Sequence, residues 1–319
     1  MKIFKTALYS IVSLVALILV FGSVLAYFPA ESIVKNNGIT PDQAANLRQR
    51  FIEPHDQFIT SDGQTLFLRK RMPDSIIPTK INIAVLIFHG ITAHSGAYEM
   101  AGKPISVGGY MTFGLDYRGH GLSDGNRGDS PDKERWIADL AESIEHIKSW
   151  GFSKVIVLGH SLGVAAAICT AEAVPDQISG LILLSGAYKS KKGQTKPPSL
   201  LQNLRILSSS VFRPSYPAVE YYREYITGAN DPLFNFRYTL SFLTMPDVKN
   251  LSLPPTMNIP VLVGVGDKDE LFDVDKVKEF YNLIPGDKKE FLIMKDATHA
   301  RIPVECWEEI VYWLDKTYL

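Results

Sequence analysis

Six short aliphatic runs, each stopped by turn residues, constrain this chain more than any other feature. They read "INIAVLIFHG", "GYMTFGLDYRG", "KVIVLGHS", "SGLILLSG", "IPVLVGVGD" and "KEFLIMKDA". Being continuous rather than alternating, they suit strands buried on both faces. Between several of them lie stretches with helical spacing. Trp136, Leu140, Ile144 and Ile147 put an apolar face on the segment from Asp132 to Trp150. "VDKVKEFYNLI" and "VECWEEIVYWLDKTY" are similar, with Asp273 and Pro303 at their starts. Strand alternating with helix predicts an α/β fold whose mostly parallel sheet is covered on both faces. Ahead of it, Phe58 to Thr60 and Leu66 to Arg71 flank the turn "SDGQ" and read as a hairpin.

Two regions depart from that rhythm. From Tyr188 to Met257 no clear strand is legible, yet the segment is too rich in aromatic and aliphatic residues for disorder. It predicts a helical cap over one end of the sheet. At the other extreme, Lys2 and Lys5 precede about 22 residues without a charge, a helix of about 33 Å against a hydrocarbon core of about 30 Å. The expectation is an N-terminal transmembrane helix with the bulk of the chain on the extracytoplasmic side. The alternative is a signal cleaved after Ala26, giving a secreted or periplasmic protein. The expected organisation is thus 1–30 anchor or signal, 31–57 linker, 58–187 first part of the core, 188–257 cap, and 258–319 second part of the core. From Pro41 to Arg50 the linker is polar and reads as a coil or short helix.

Lys and Arg number 33 and Asp and Glu 34, so no basic face argues for nucleic acid. Cys169 and Cys306 lie far apart without metal-ligand spacing and read as buried thiols.

The chemistry concentrates at "GHSLG". A G-x-S-x-G turn between strand and helix lifts a serine hydroxyl clear of the sheet. The pattern alone is weak, since "GLSDG" from Gly121 to Gly125 also matches it. Only Ser161 has a strand run before it and a helix-forming "LGVAAAICTAEA" after it. A side chain at Gly159 or Gly163 would crowd such a turn. A serine needs a base and a group to orient that base. After Ser161 the chain holds one histidine, His299, in the loop "DATHA" beyond an aliphatic run. For the acid, Asp267 and Asp269 both follow "VLVGVG" directly, and Asp273 suits a helix cap. The oxyanion donors expected for acyl transfer are the backbone N–H of Leu162, after the nucleophile, and that of Ile91, after "HG".

Taken in order, "HGITAHSGAY", "DYRGHGLSDG", "GHSLG", "GDKDELFD" and "THA" resemble the α/β-hydrolase group of monoacylglycerol lipases and related lysophospholipases. The resemblance runs from about Phe58 to Trp313. It implies that the acid is the aspartate three residues after Gly266, which is Asp269, and it agrees with Ile91 and with a cap. It also implies that Cys169 and Cys306 sit on opposite faces of the sheet, too far apart to bond. Ile91 is bulkier than the small residue common in the family at that place, which narrows the expected acyl pocket.

The reading is therefore a Ser161, Asp269, His299 serine hydrolase that cleaves carboxylic esters of fatty acids, without metal or organic cofactor. Its expected partners are a lipid-like substrate, monoacylglycerol or lysophospholipid, and the membrane. The rivals are the same triad acting on amides, peptides or thioesters, and a non-catalytic membrane-tethered binding protein on the same scaffold.

Overall fold

A computed structural model describes residues 2–28, 32–36, 38–186, 190–191, 197–223, 226–245 and 258–319, with side chains from residue 12 onward. The chain opens with helices α1 (Lys2–Tyr27) and α2 (Pro41–Gln49), the latter started by a capping box in which Thr40 and Gln43 satisfy each other's backbone amides. Strands β1 (His55–Ile59) and β2 (Thr65–Arg71) form the expected hairpin. The doubly covered part follows as β3 (Ile83–Phe88), α3 (Glu99–Val107), β4 (Met111–Leu115), α4 (Lys133–Ser149), β5 (Lys154–His160), α5 (Leu162–Ala173) and β6 (Gly180–Leu184).

The cap contributes α6 (Leu200–Phe212), β7 (Val219–Glu220), β8 (Arg237–Tyr238) and α7 (Leu240–Thr244). Its expected boundaries at 188 and 257 lie outside the described residues. Here the sequence reading is incomplete, because β7 and β8 pair as a small antiparallel ribbon. Two residues per strand are too few to print an alternation. The chain ends with β9 (Val261–Gly266), α8 (Val274–Leu283), β10 (Lys289–Met294) and α9 (Val304–Tyr318).

The sheet has eight strands in the order β1-β2-β4-β3-β5-β6-β9-β10, antiparallel only at β1-β2 and β2-β4. The aliphatic runs fill its middle, and β3, β5 from Val155 onward, β6 and β9 are buried throughout. One face packs on α4, α5 and α8 through residues such as Trp136, Ile144, Ala167, Cys169 and Phe280. The other packs on α3 and α9 through Ile105, Cys306, Trp307 and Ile310. The two cysteines therefore lie on opposite faces, and neither forms a disulfide.

The expected transmembrane helix is corrected by the structure. Among the described residues no helix is long and apolar enough to cross a membrane. The end of α1 is docked sideways on the cap. Gly22 faces the Phe212 ring, Arg213 donates to the Ala26 carbonyl at 3.3 Å, and its guanidinium stacks 4.6 Å over the Tyr27 ring. Leu14, Leu17 and Val20 stay exposed. Hydropathy reported an apolar run but not the α6 partner that takes part of it.

Candidate active site

Strand register decides which loops meet. Phe88 of β3 pairs with Gly159 of β5, so the turn at Gly90 and Ile91 lies beside Ser161. Gly266 of β9 pairs with Met294 of β10, bringing the loop of Asp269 next to the loop of His299. All these loops leave the C-terminal ends of parallel strands, where open α/β sheets hold their ligands.

Ser161 sits between β5 and α5 at φ +57°, a left-handed backbone that a non-glycine residue holds only when its surroundings enforce it. The enforcement is visible. A Cβ at Gly159 would lie 2.1 Å from the Gly163 carbonyl oxygen, and one at Gly163 would lie 2.1 Å from that of Phe88. The hydroxyl makes no helix-capping bond and is left for other work. Ser123 of the rival "GLSDG" match is fully buried and donates to the Asp116 carbonyl.

The Ser161 Oγ lies 3.1 Å from His299 Nε2, and His299 Nδ1 lies 3.2 Å from Asp269 Oδ2. With Nδ1–H donating to the carboxylate, Nε2 presents its lone pair to the serine. The second carboxylate oxygen of Asp269 accepts the N–H groups of Leu271 and Phe272 at 2.8 and 3.0 Å. Burial by itself would raise the Asp269 pKa, but the hydrogen bond and charge of His299 and the Leu271 amide outweigh it and hold the carboxyl below its usual range. Asp267, left open beside Asp269 by position alone, is exposed and takes no part in this contact. Asp273 stands at the start of α8 but does not cap it; its carboxylate is 3.2 Å from Lys191 Nζ.

Opposite the serine, Gly90 N–H donates to Tyr98 Oη, Thr92 N–H to Tyr238 Oη and Ala93 N–H to the Gly90 carbonyl. Between them the Ile91 N–H has no acceptor among the described residues and borders the cavity over Ser161. Leu162 opens α5, where backbone N–H groups have no partner within the helix. Both expected oxyanion donors thus flank the serine. No grouping of His, Cys, Asp and Glu suited to a metal ion occurs among the described residues.

Sequence reasoning missed the residues that hold this arrangement. Thr92 sits at φ +70°, with its N–H bonded to Tyr238 at 2.7 Å and its carbonyl accepting from Asn235 N–H at 2.8 Å. Tyr98 Oη accepts from Gly90 N–H at 2.7 Å and lies 2.6 Å from His160 Nδ1. Burial, then the charge of His299, pushes the His160 pKa down to about 3, so this ring is neutral. Glu270, next to Asp269, accepts the His299 backbone N–H and Arg223 Nη1, both at 2.9 Å. Tyr98 lies inside the quoted "HGITAHSGAY", and Glu270 inside "GDKDELFD". Tyr238 and Arg223 carry no local signal, since their partners lie far away in sequence.

The cavity holds about 180 Å³, below the roughly 300–1,000 Å³ of typical small-molecule pockets. Ile91 and Met100 from the core and Ile226 and Phe234 from the cap help to wall it. The bulk expected of Ile91 is in place there.

Known proteins resemble the chain as follows. The chain is 27% identical to human monoglyceride lipase over 285 residues, covering 82% of this chain and 90% of that protein. It is 32% identical to the rat monoglyceride lipase over 133 residues, 41% of this chain and 42% of that one. Among solved structures, the monoacylglycerol lipase of Paleococcus ferrophilus superposes with a TM-score of 0.61 at 24% identity, over 79% of this chain and 99% of that one. A soluble variant of the Saccharomyces cerevisiae monoglyceride lipase, in complex with a substrate analogue, gives 0.64 at 17% over 91% and 100%. These two show a shared fold. The family described as "Serine aminopeptidase, S33" matches residues 79–305, and with it the chain belongs to that family of α/β-hydrolases, in its monoglyceride-lipase-like branch.

Proposed function

We propose that this carboxylic ester hydrolase cleaves fatty-acyl esters of glycerol, monoacylglycerol or lysophospholipid, by way of an acyl-enzyme on Ser161. His299 Nε2 accepts the Ser161 proton as Oγ attacks the acyl carbon, and Asp269 holds the ring in the required tautomer. The N–H groups of Ile91 and Leu162 receive the oxyanion of the tetrahedral intermediate. As the C–O bond breaks, His299 returns the proton to the leaving alcohol. Water, deprotonated by the same nitrogen, then attacks the acyl-enzyme; as the acyl–Oγ bond breaks, His299 gives that proton to Ser161 Oγ and the fatty acid is released.

The observation that carries this reading is the line of contacts Ser161–His299–Asp269 at 3.1 and 3.2 Å, ending under an apolar cavity. The lipid part leans on the human and rat relatives, whose names specify monoglycerides. A second reading, the same machinery acting on an amide, is favoured by the family's own description as a serine aminopeptidase. A panel of monoacylglycerol, lysophospholipid, thioester and aminoacyl-amide substrates decides between them. Esters as the best substrates support the proposal. A clear preference for the amide overturns its substrate class.

A further inference from the structure

The wall of the catalytic cavity contains a full positive charge that the reaction above does not use. Arg223, in the cap, borders the cavity together with Tyr221, Ile226 and Phe234, and its side chain is only 9% exposed. Of the five N–H donors that a guanidinium carries, one group is committed, Nη1 to Glu270 Oε1 at 2.9 Å. The other nitrogens have no acceptor among the described residues, and the residue borders the cavity. Donors so poorly hydrated are costly unless a partner oxygen reaches them. A plain hydrocarbon cannot provide one.

The anchoring of Arg223 says which half of an ester would meet it. Glu270 grips Arg223 with one oxygen and the His299 backbone N–H with the other. Arg223 is therefore tied to the loop whose imidazole hands the proton to the departing alcohol. Glu270 cancels the formal charge of Arg223, and Asp269 lies beside it. What remains for recognition is directed hydrogen bonding from the uncommitted N–H groups.

We propose that Arg223 determines specificity by donating to an acceptor oxygen on the alcohol half of the ester, a polyol hydroxyl or a phosphate oxygen, and so disfavours plain alkyl esters. This rests on the ester-hydrolase reading given above. The test compares kcat/KM for three esters of one short fatty acid: the ethyl ester, the monoacylglycerol and the acylglycerol phosphate. In the wild type, at least one oxygenated ester is expected to exceed the ethyl ester by about 10- to 100-fold, the span of a hydrogen bond to a charged group. In Arg223→Met that ratio is expected to collapse towards one. Whichever oxygenated ester carries the ratio identifies its source as hydroxyl or phosphate. A wild-type ratio near one for both overturns the proposal whether or not the variant folds. Equal slowing of all three esters in Arg223→Met also overturns it, leaving Arg223 as a strut for Glu270. No hydrolysis of any of the three by the wild type would instead remove the ester reading itself.

Discussion

Ser161 borders the cavity, Tyr238 is buried behind its Thr92 wall, and the two are held by different means. Ser161 is fixed by its immediate chain neighbours, because a short, glycine-flanked turn between a buried strand and a buried helix leaves the hydroxyl a single course. Tyr238 belongs to a ribbon of two-residue strands and acts across 146 positions of sequence, on the backbone of Thr92. On the proposed mechanism the core carries the reacting groups, Ser161 on a stiff turn and Asp269 and His299 on loops at strand ends, while the cap adjusts them through single hydrogen bonds. If that division is right, substitutions in the core remove the reaction, and substitutions in the cap tune it.

The largest effect is expected from Ser161→Ala and His299→Ala. Each should lower kcat by about 10⁴-fold or more, with circular dichroism and thermal midpoint close to wild type. Residual turnover within tenfold of wild type in either variant would break the comparison at its root. Next, Asp269→Asn should cost about 10²- to 10⁴-fold in kcat by disturbing the imidazole tautomer, while Asp267→Asn stays within about threefold. The reverse ranking would move the acid to Asp267.

Tyr238→Phe sharpens the cap side. Losing the bond that sets the Thr92 peptide should lower kcat by about tenfold while KM changes little, a smaller loss than deletion of an oxyanion donor itself. An unchanged kcat would free the cap from any role in positioning Ile91.

The last effect is on stability and pH rather than on turnover. Burial pushes the pKa of His89 down to about 4 and that of His160, with help from the charge of His299, to about 3, from an ordinary 6.5. These rings are neutral when folded, whereas the unfolded chain takes up protons below about pH 6.5. Their contribution is complete above that pH and is lost as pH falls towards 3. Urea unfolding should therefore show stability declining below pH 6.5, by about 1.4 kcal/mol per pH unit for each such histidine. A flat profile from pH 6.5 to 4.5 would contradict their burial as neutral groups.

Much of the core was legible because its signals are local or exclusive. Continuous Val, Ile and Leu runs announce buried strands, and His299 is the one histidine after Ser161, so a contact spanning 138 positions was still traceable. Helix α3 escaped notice because Gly102 and Pro104 lie within it, both poor helix formers. Arg223 and Glu270 escaped because an ion pair between a cap and a loop leaves no periodicity. The N-terminal run misled for a related reason, since hydropathy counts apolar residues without showing the helix packed beside them.

Fluorophosphonate labelling followed by peptide mass spectrometry, run beside an ester assay, tests the central claim most directly. The account predicts one phosphonyl adduct, on Ser161, appearing in step with the loss of hydrolysis and absent from Ser161→Ala. Folded protein that goes on hydrolysing esters with Ser161 unlabelled would contradict it.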